Sequence, residues 1–178
     1  MRKIVQIVIS RFVYFDYCPG RKKCLTFNYL HVIIKPEEKK EVTTMTIRFA
    51  NNNDLPFIVR EIEAQGMDYN TPADVREDIA AGRMVVAEND GIILASVVVK
   101  YKAHRGYYAI MRMCVYSNNS RGKGVASALI DFILALNLGT YGATPWDDNP
   151  AMLHIFEKRG FVYQYTFKKH YCFYKKSA

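Results

Sequence analysis

Residues 107 to 136 hold the pattern that most constrains the fold. Tyr107 to Tyr116 is apolar on both faces, as a strand in the middle of a sheet must be. Ser120-Arg121-Gly122-Lys123-Gly124 then turns the chain. After it, Val125, Ala128, Leu129, Phe132, Ile133 and Leu136 recur at spacings of three and four, the pattern of a helix docked by one face. A buried strand, a tight turn and a helix that folds back over the sheet require a layered α/β domain.

The neighbouring segments extend this layering. Thr46 to Ala50 alternates apolar and polar and reads as a strand. Asn53 is expected to cap a helix whose Leu55, Ile58, Val59 and Ile62 share a face. Thr71-Pro72-Ala73-Asp74 supplies a cap, a first-turn proline and an acid at the third position, and that helix should end near Gly82. Arg83 to Glu88 and Ile92 to Lys102 form a hairpin about Asn89-Asp90-Gly91. Thr140 to Thr144 is a short strand. Asn149 and Pro150 open a helix that Gly160 stops, and Phe161 to Phe167 with Tyr171 to Lys175 closes the chain as a hairpin. From Met45 onward the predicted order is β-α-α-β-β-β-α-β-α-β-β.

Charge is distributed unevenly over the 178 residues. Residues 1–44 carry nine Lys/Arg against four Asp/Glu, whereas residues 45–178 carry sixteen against thirteen. The boundary falls at the polar, periodless stretch Glu37 to Thr44. One domain plus an arm follows: a basic N-terminal arm, residues 1–44, and an α/β domain, residues 45–178. The arm is rich in Ile, Val, Phe and Tyr. It either adds strands to the sheet or is a translated leader with Met45 as the true start, and the purine-rich codons implied by Glu37-Glu38-Lys39-Lys40-Glu41 favour the leader. A basic arm can bind phosphates, but the body lacks a recognition motif, which argues against nucleic acid as a partner.

No run reaches eighteen apolar residues, so no membrane helix is expected. Cys18, Cys24, Cys114 and Cys172 form no C-x-x-C pair and no disulfide framework, which points to reduced thiols and a cytoplasmic location. His170 and Cys172 are too sparse for a metal site, and no metal is expected.

The turn from Arg121 to Ala126 carries the chemistry. A strand-to-helix turn leaves the first helical N–H groups without partners and aims a positive dipole end at one spot. Gly122 and Gly124 let a pyrophosphate approach the backbone, and Arg121 and Lys123 add charge. It is not a Walker A loop, because Gly124 follows Lys123 and no glycine stands five residues before Gly122.

A second segment, Asn149 to Phe161, follows at the end of the chain. Together the two resemble the GNAT superfamily of acetyl-CoA-dependent N-acetyltransferases. Arg121, Gly124 and Ala126 match its first signature, Arg/Gln-x-x-Gly-x-Gly/Ala. Asn149, Phe156, Glu157, Lys158, Gly160 and Phe161 match its second. Thr46 to Ala50 with Asp54-Leu55-Pro56 looks like the family's first strand and helix. The resemblance covers about residues 45–176.

The resemblance implies a mixed, mostly antiparallel central sheet flanked by helices. It implies acetyl-CoA as cosubstrate and transfer of its acetyl group, by direct attack, to a primary amine of a small molecule or a protein. It places the pantetheine arm against the backbone of Met113, Cys114 and Val115. The pyrophosphate falls on the amides of Arg121, Gly122, Lys123, Gly124, Val125 and Ala126, and the Asn149 side chain against the cofactor's arm. Asn149 is also a helix cap by its own position. The oligomeric state is left open.

Two departures weigh on the chemical step. Family members often use a strand carboxylate as base, and here those positions read Met111, Arg112 and Met113. A tyrosine often protonates the departing sulfur, and here that position is Phe156. General acid–base help is worth about 10²–10⁴-fold, so these absences leave the catalytic residues unknown and keep a non-catalytic CoA-binding module as the alternative. Tyr108, Tyr141, Tyr163, Tyr165 and Tyr171 are substitutes by type, as are His104, His154 and His170, but none has a partner evident in the sequence. Cys114, on a buried strand, reads as inert core. Residues 54–78 hold seven acids against two arginines, and Glu61, Glu63 and Asp68 would greet a cationic amine.

Overall fold

The computed structural model describes residues 5–9, 16–18, 21–23, 30–34, 45–66, 71–116, 120–167 and 171–176. Before residue 45, and at 171 and 172, only the backbone is described. His170 and Asp68 lie outside the described residues, as do the side chains of Tyr171 and Cys172.

The N-terminal arm contributes β1 (Val5–Ile9), β2 (Asp16–Cys18), β3 (Arg21–Lys23) and β4 (Leu30–Ile34). The body runs β5 (Met45–Phe49), α1 (Leu55–Ala64), α2 (Pro72–Ala80), β6 (Met84–Asn89), β7 (Ile92–Lys102) and β8 (Tyr107–Val115). It continues with α3 (Val125–Ala135), β9 (Tyr141–Ala143), α4 (Pro150–Glu157), β10 (Val162–Phe167) and β11 (Tyr171–Lys176). From Met45 this is the order the periodicities predict. One sheet has the strand order β1-β4-β5-β6-β7-β8-β9-β11-β10, and β2 pairs with β3 apart from it. Only β8 and β9 run parallel; every other pairing in the sheet is antiparallel.

Helices cover both faces, which is why Met84 to Ala87 of β6 and Val97 to Val99 of β7 are apolar on both sides. On one side Ile58, Ile62, Val75 and Ile79 of α1 and α2 pack against Met84, Val86 and Val98. On the other, Leu129 and Ile133 of α3 and Phe156 of α4 pack with Ile47, Val85, Ala87, Val97 and Ile110. Burying each Leu or Ile contributes about 1.5–3 kcal/mol, so α3, with six buried residues, is firmly seated on the sheet.

Local signals fix the element ends. Asp90 and Gly91 both adopt positive φ, 49° and 78°, as the two-residue hairpin turn between β6 and β7 requires. Thr71 and Asp74 form a reciprocal capping box on α2. At α1 the cap differs from expectation. Asn51, not Asn53, accepts from the Asn53 amide and caps a 3-10 turn at residues 52–54, from which α1 continues. The turn is anchored because Arg48 on β5 grips Asp54 at 2.7 and 2.9 Å and also binds Glu88 on β6. Burial alone would raise the Asp54 carboxyl, but Arg48 and the Asn51 amide hold it below its ordinary value.

Candidate active site

The site is a fork in the sheet. β8 pairs with β9 only through Tyr108↔Tyr141, Ala109↔Gly142 and Ile110↔Ala143. Beyond Ile110, residues 111–115 keep β7 on one side and, among the described residues, pair with no strand on the other. The cause is a bulge. Ser96 faces Cys114 and Val98 faces Met111, so two residues, Arg112 and Met113, oppose Val97 alone. An extra residue bends the strand and sharpens its twist, and here β8 leans away from β9. Arg112 takes φ 55°, a left-handed conformation costly for a side chain of this size. Its guanidinium reaches Asp78 on α2, Nη1 to Oδ2 3.0 Å. Asp78 is 3% exposed and also lies 2.9 Å from Arg83 Nε, out of hydrogen-bond alignment.

The turn before α3 lies at the open end of β8. Gly122 and Gly124 have φ of 72° and 85°, and a Cβ at either would meet no atom within 4 Å. These glycines are therefore demanded by backbone conformation, not by packing. Gly124 is the N-cap of α3 and offers no side-chain oxygen; the first helical bond described runs from Ala128 N to Gly124 O. Gly124 thus gives the first-turn amides of Val125, Ala126 and Ser127 no side-chain acceptor. Arg121, Gly122, Lys123 and Gly124 are exposed.

Met113, Cys114, Val115 and the residues from Arg121 to Ala126 thus belong to one strand–turn–helix unit. Asn149 stands on the other arm of the fork, on the chain leaving β9. Its Oδ1 accepts from Met152 N at 3.1 Å, the capping role, and its Nδ2 remains available among the described residues.

Cys114 is 4% exposed and its thiol donates to Gln65 Oε1 at 3.0 Å. Burial pushes this thiol up to about 11, against the opposing pull of Arg121 and the Gln65 bond, so it stays neutral. Tyr116, just past β8, shares a hydrogen bond with Ser96 Oγ at 2.5 Å, and burial raises its hydroxyl well above the ordinary phenol range. The sequence carries no mark of either pairing, since the partners lie 49 and 20 residues away.

The other candidates fall into place separately. Phe156 is 3% exposed, edge-to-face with Phe161 at 5.0 Å. The Tyr141 hydroxyl donates to Ile133 O and accepts from Leu138 N, a structural role. Tyr108 stacks beside Tyr101. Tyr163 and Tyr165 are exposed on β10. His154 is exposed on α4. His104 accepts from Arg105 Nε at 3.2 Å and lines a cavity beside β8 and β9. Glu61 pairs with Arg60 at 3.0 Å, and Glu63 is exposed. Among the described residues no group of three or more His, Cys, Asp or Glu is placed to hold a metal ion. No described helix is long and apolar enough to cross a membrane.

Residues 80–163, from the end of α2 to the start of β10, match the family model described as an acetyltransferase (GNAT) domain. The chain carries a GNAT acetyltransferase domain. Solved structures share the fold. A GNAT-family acetyltransferase from Bacillus cereus superposes with a TM-score of 0.66 at 18% identity, over 75% of this chain and 96% of that one. Ard1 from Thermoplasma volcanium gives 0.61 at 23%, over 74% and 94%. Arabidopsis thaliana Naa50, in complex with a bisubstrate analogue, CoA-Ac-MVNAL, gives 0.63 at 17%, over 75% and 99%. No curated protein matches the chain. The GNAT domain makes the chain an acyltransferase, and the GNAT fold implies acetyl-CoA binding.

Proposed function

We propose that the chain moves the acetyl group of acetyl-CoA to a primary amine of a small molecule or a protein by direct attack. The observation that carries this reading is the fork between β8 and β9 with the uncapped start of α3 at its open end. A strand edge without a partner suits the amide groups of a pantetheine arm, and free helical amides beside two cations suit a pyrophosphate. Acetyl-CoA, when bound, supplies an activated thioester.

The backbone of Met113, Cys114 and Val115 then holds the arm, and an N–H near Cys114 or Val115 donates to the thioester oxygen without reorganisation. Arg121, Gly122, Lys123, Gly124, Val125 and Ala126 hold the pyrophosphate, and Asn149 donates to the arm through Nδ2. No side chain is assigned as general base. Holding both reactants in one geometry supplies much of the acceleration. The peptide carried by the analogue bound to Naa50 supports keeping protein amines among the acceptors.

The test is Gly124→Glu, which places bulk and negative charge where a phosphate must lie. CoA binding by calorimetry should be abolished while the circular dichroism spectrum is retained. Unchanged affinity would sink the seat.

A further inference from the structure

The sheet face beside the fork carries positive charge that the seat for acetyl-CoA does not use. A cavity of about 230 Å³ lies there. Its floor includes Met111 on β8 and Gly142 and Thr144 at β9, and its rim is Lys102, His104 and Arg105 from the end of β7 and the turn after it. The floor is closely built: a Cβ on Gly142 would sit 2.6 Å from the Tyr107 ring. A smaller hollow of about 70 Å³ shares Lys102 and Met111 and continues to Lys100 and the acids of α2.

Those acids are engaged elsewhere. Asp78 serves Arg83 and Arg112, Glu77 serves Arg83, and Asp74 serves Thr71. Lys100 is near enough to help lower the Asp74 and Glu77 carboxyls but forms no ion pair with either. Lys102 has no carboxylate partner among the described residues. Arg105 lies near Tyr107 and donates to the ring of His104, neither of them a carboxylate. Among the described residues, then, neither Lys102 nor Arg105 on the rim forms an ion pair with a carboxylate.

The far end of the cavity is Met111 and Thr144, the residues immediately past the last β8–β9 pair, Ile110↔Ala143. The cavity thus opens onto the start of the fork, and a small molecule in it would have one end at the fork and the other among the cations. Resting on the acetyltransferase reading above, we propose that the acceptor is an amine that also carries an anionic group, held by Lys102 and Arg105 while the amine reaches the fork. Arg105 offers the forked donors that carboxylates and phosphates accept, and Lys102 a point charge. In the transfer, the amine nitrogen bonds to the acetyl carbon and the C–S bond breaks. The nitrogen gives up a proton and CoA leaves as the thiol.

The test compares matched amines by thiol release from acetyl-CoA: 4-aminobutanoate against 4-aminobutanamide, and phosphoethanolamine against ethanolamine. At least one anionic member should exceed its neutral partner in kcat/KM by about tenfold, mainly through KM, and which pair responds tells carboxylate from phosphate. Lys102→Gln and Arg105→Gln should each erase the preference by raising KM for the anionic member. Equal kcat/KM within both pairs, with turnover present, would overturn the inference and leave the acetyltransferase reading intact. A second measurement is independent of turnover: succinate and inorganic phosphate are titrated into the CoA complex while the amide shifts of Ala109, Gly142 and Thr144 are followed. Saturable shifts with at least one probe, lost in Lys102→Gln, are expected. Their absence with both overturns the anion site. Shifts without acetylation of any amine would instead reject the acetyltransferase reading.

Discussion

The Asp78 carboxylate, on α2, meets the Arg112 guanidinium at 3.0 Å and holds that residue at its left-handed φ of 55°. The helix layer on one side of the sheet thereby fixes the bulge that parts β8 from β9.

Asp78→Asn keeps the shape and removes the charge, leaving Arg112 without its counter-ion while Arg83 keeps Glu77 alone. Breaking a buried pair usually costs about 3–5 kcal/mol. The two guanidinium groups are 21% and 23% exposed, so about 2–3 kcal/mol is expected after solvent screening. Urea denaturation should show the loss as a lower midpoint with an unchanged slope, and CoA affinity should fall with it as the fork loses its shape. An unchanged midpoint would show that the bulge stands without the pair.

The Cys114 thiol should resist alkylation in the folded protein near neutral pH, because burial lifts it from about 9 to about 11. The folded state then holds its proton where the unfolded chain has lost it. The stabilising contribution is full below about pH 9 and disappears as the pH rises through about 11. Peptide mapping after iodoacetamide treatment at pH 7.5, native against urea-unfolded, checks this: rapid native labelling of Cys114 would contradict the buried, neutral thiol.

Much of this architecture is legible in the sequence. The period changes from two to between three and four at each strand-to-helix junction, and Pro72, Pro150, Gly124 and Gly160 mark ends that the structure respects. The unreadable parts are relations across distance. Arg112 in a left-handed conformation leaves no trace, since a glycine would have announced a bulge and an arginine does not. In the run Asn51-Asn52-Asn53 any member can cap, and the grip of Arg48 on Asp54 selects Asn51. Lys102, the last residue of a predicted strand, and Arg105, just past it, carry no functional mark in the sequence, because only the fold brings Gly142 and Thr144 beside them.

Phe156 sits where family likeness places a hydroxyl near the departing sulfur. If the thiolate leaves unassisted, Phe156→Tyr should raise kcat by about tenfold, the low side of general-acid assistance because a thiolate leaves fairly well. The ring is 3% exposed, so a hydroxyl without a partner would cost about 1–3 kcal/mol of stability. The measurement is kcat with a working acceptor from pH 6 to 9, alongside the denaturation midpoint. A kcat equal to or below the parent's at every pH would reject unassisted departure and direct attention to Tyr163 and Tyr165.

Removal of residues 1–44 should leave a folded, CoA-binding domain, because the sheet and helices from Met45 onward supply two apolar cores of their own among the described residues. The backbone of β4 pairs with β5 through Leu30↔Ile47, His31↔Thr46 and Val32↔Met45, so the truncated chain acquires an open sheet edge at β5. A cooperative thermal transition and retained CoA affinity are expected from the chain beginning at Met45. A molten product would make the arm part of the core.

The most direct test is amine-dependent release of CoA thiol from acetyl-CoA. The full chain is incubated with acetyl-CoA and a panel of primary amines, small molecules and peptides with free α-amino groups, and the thiol is titrated over time. Release should rise with at least one amine, saturate with its concentration, and vanish in Gly124→Glu. Tight CoA binding with no release above the amine-free rate for any amine would contradict acetyl transfer to a primary amine.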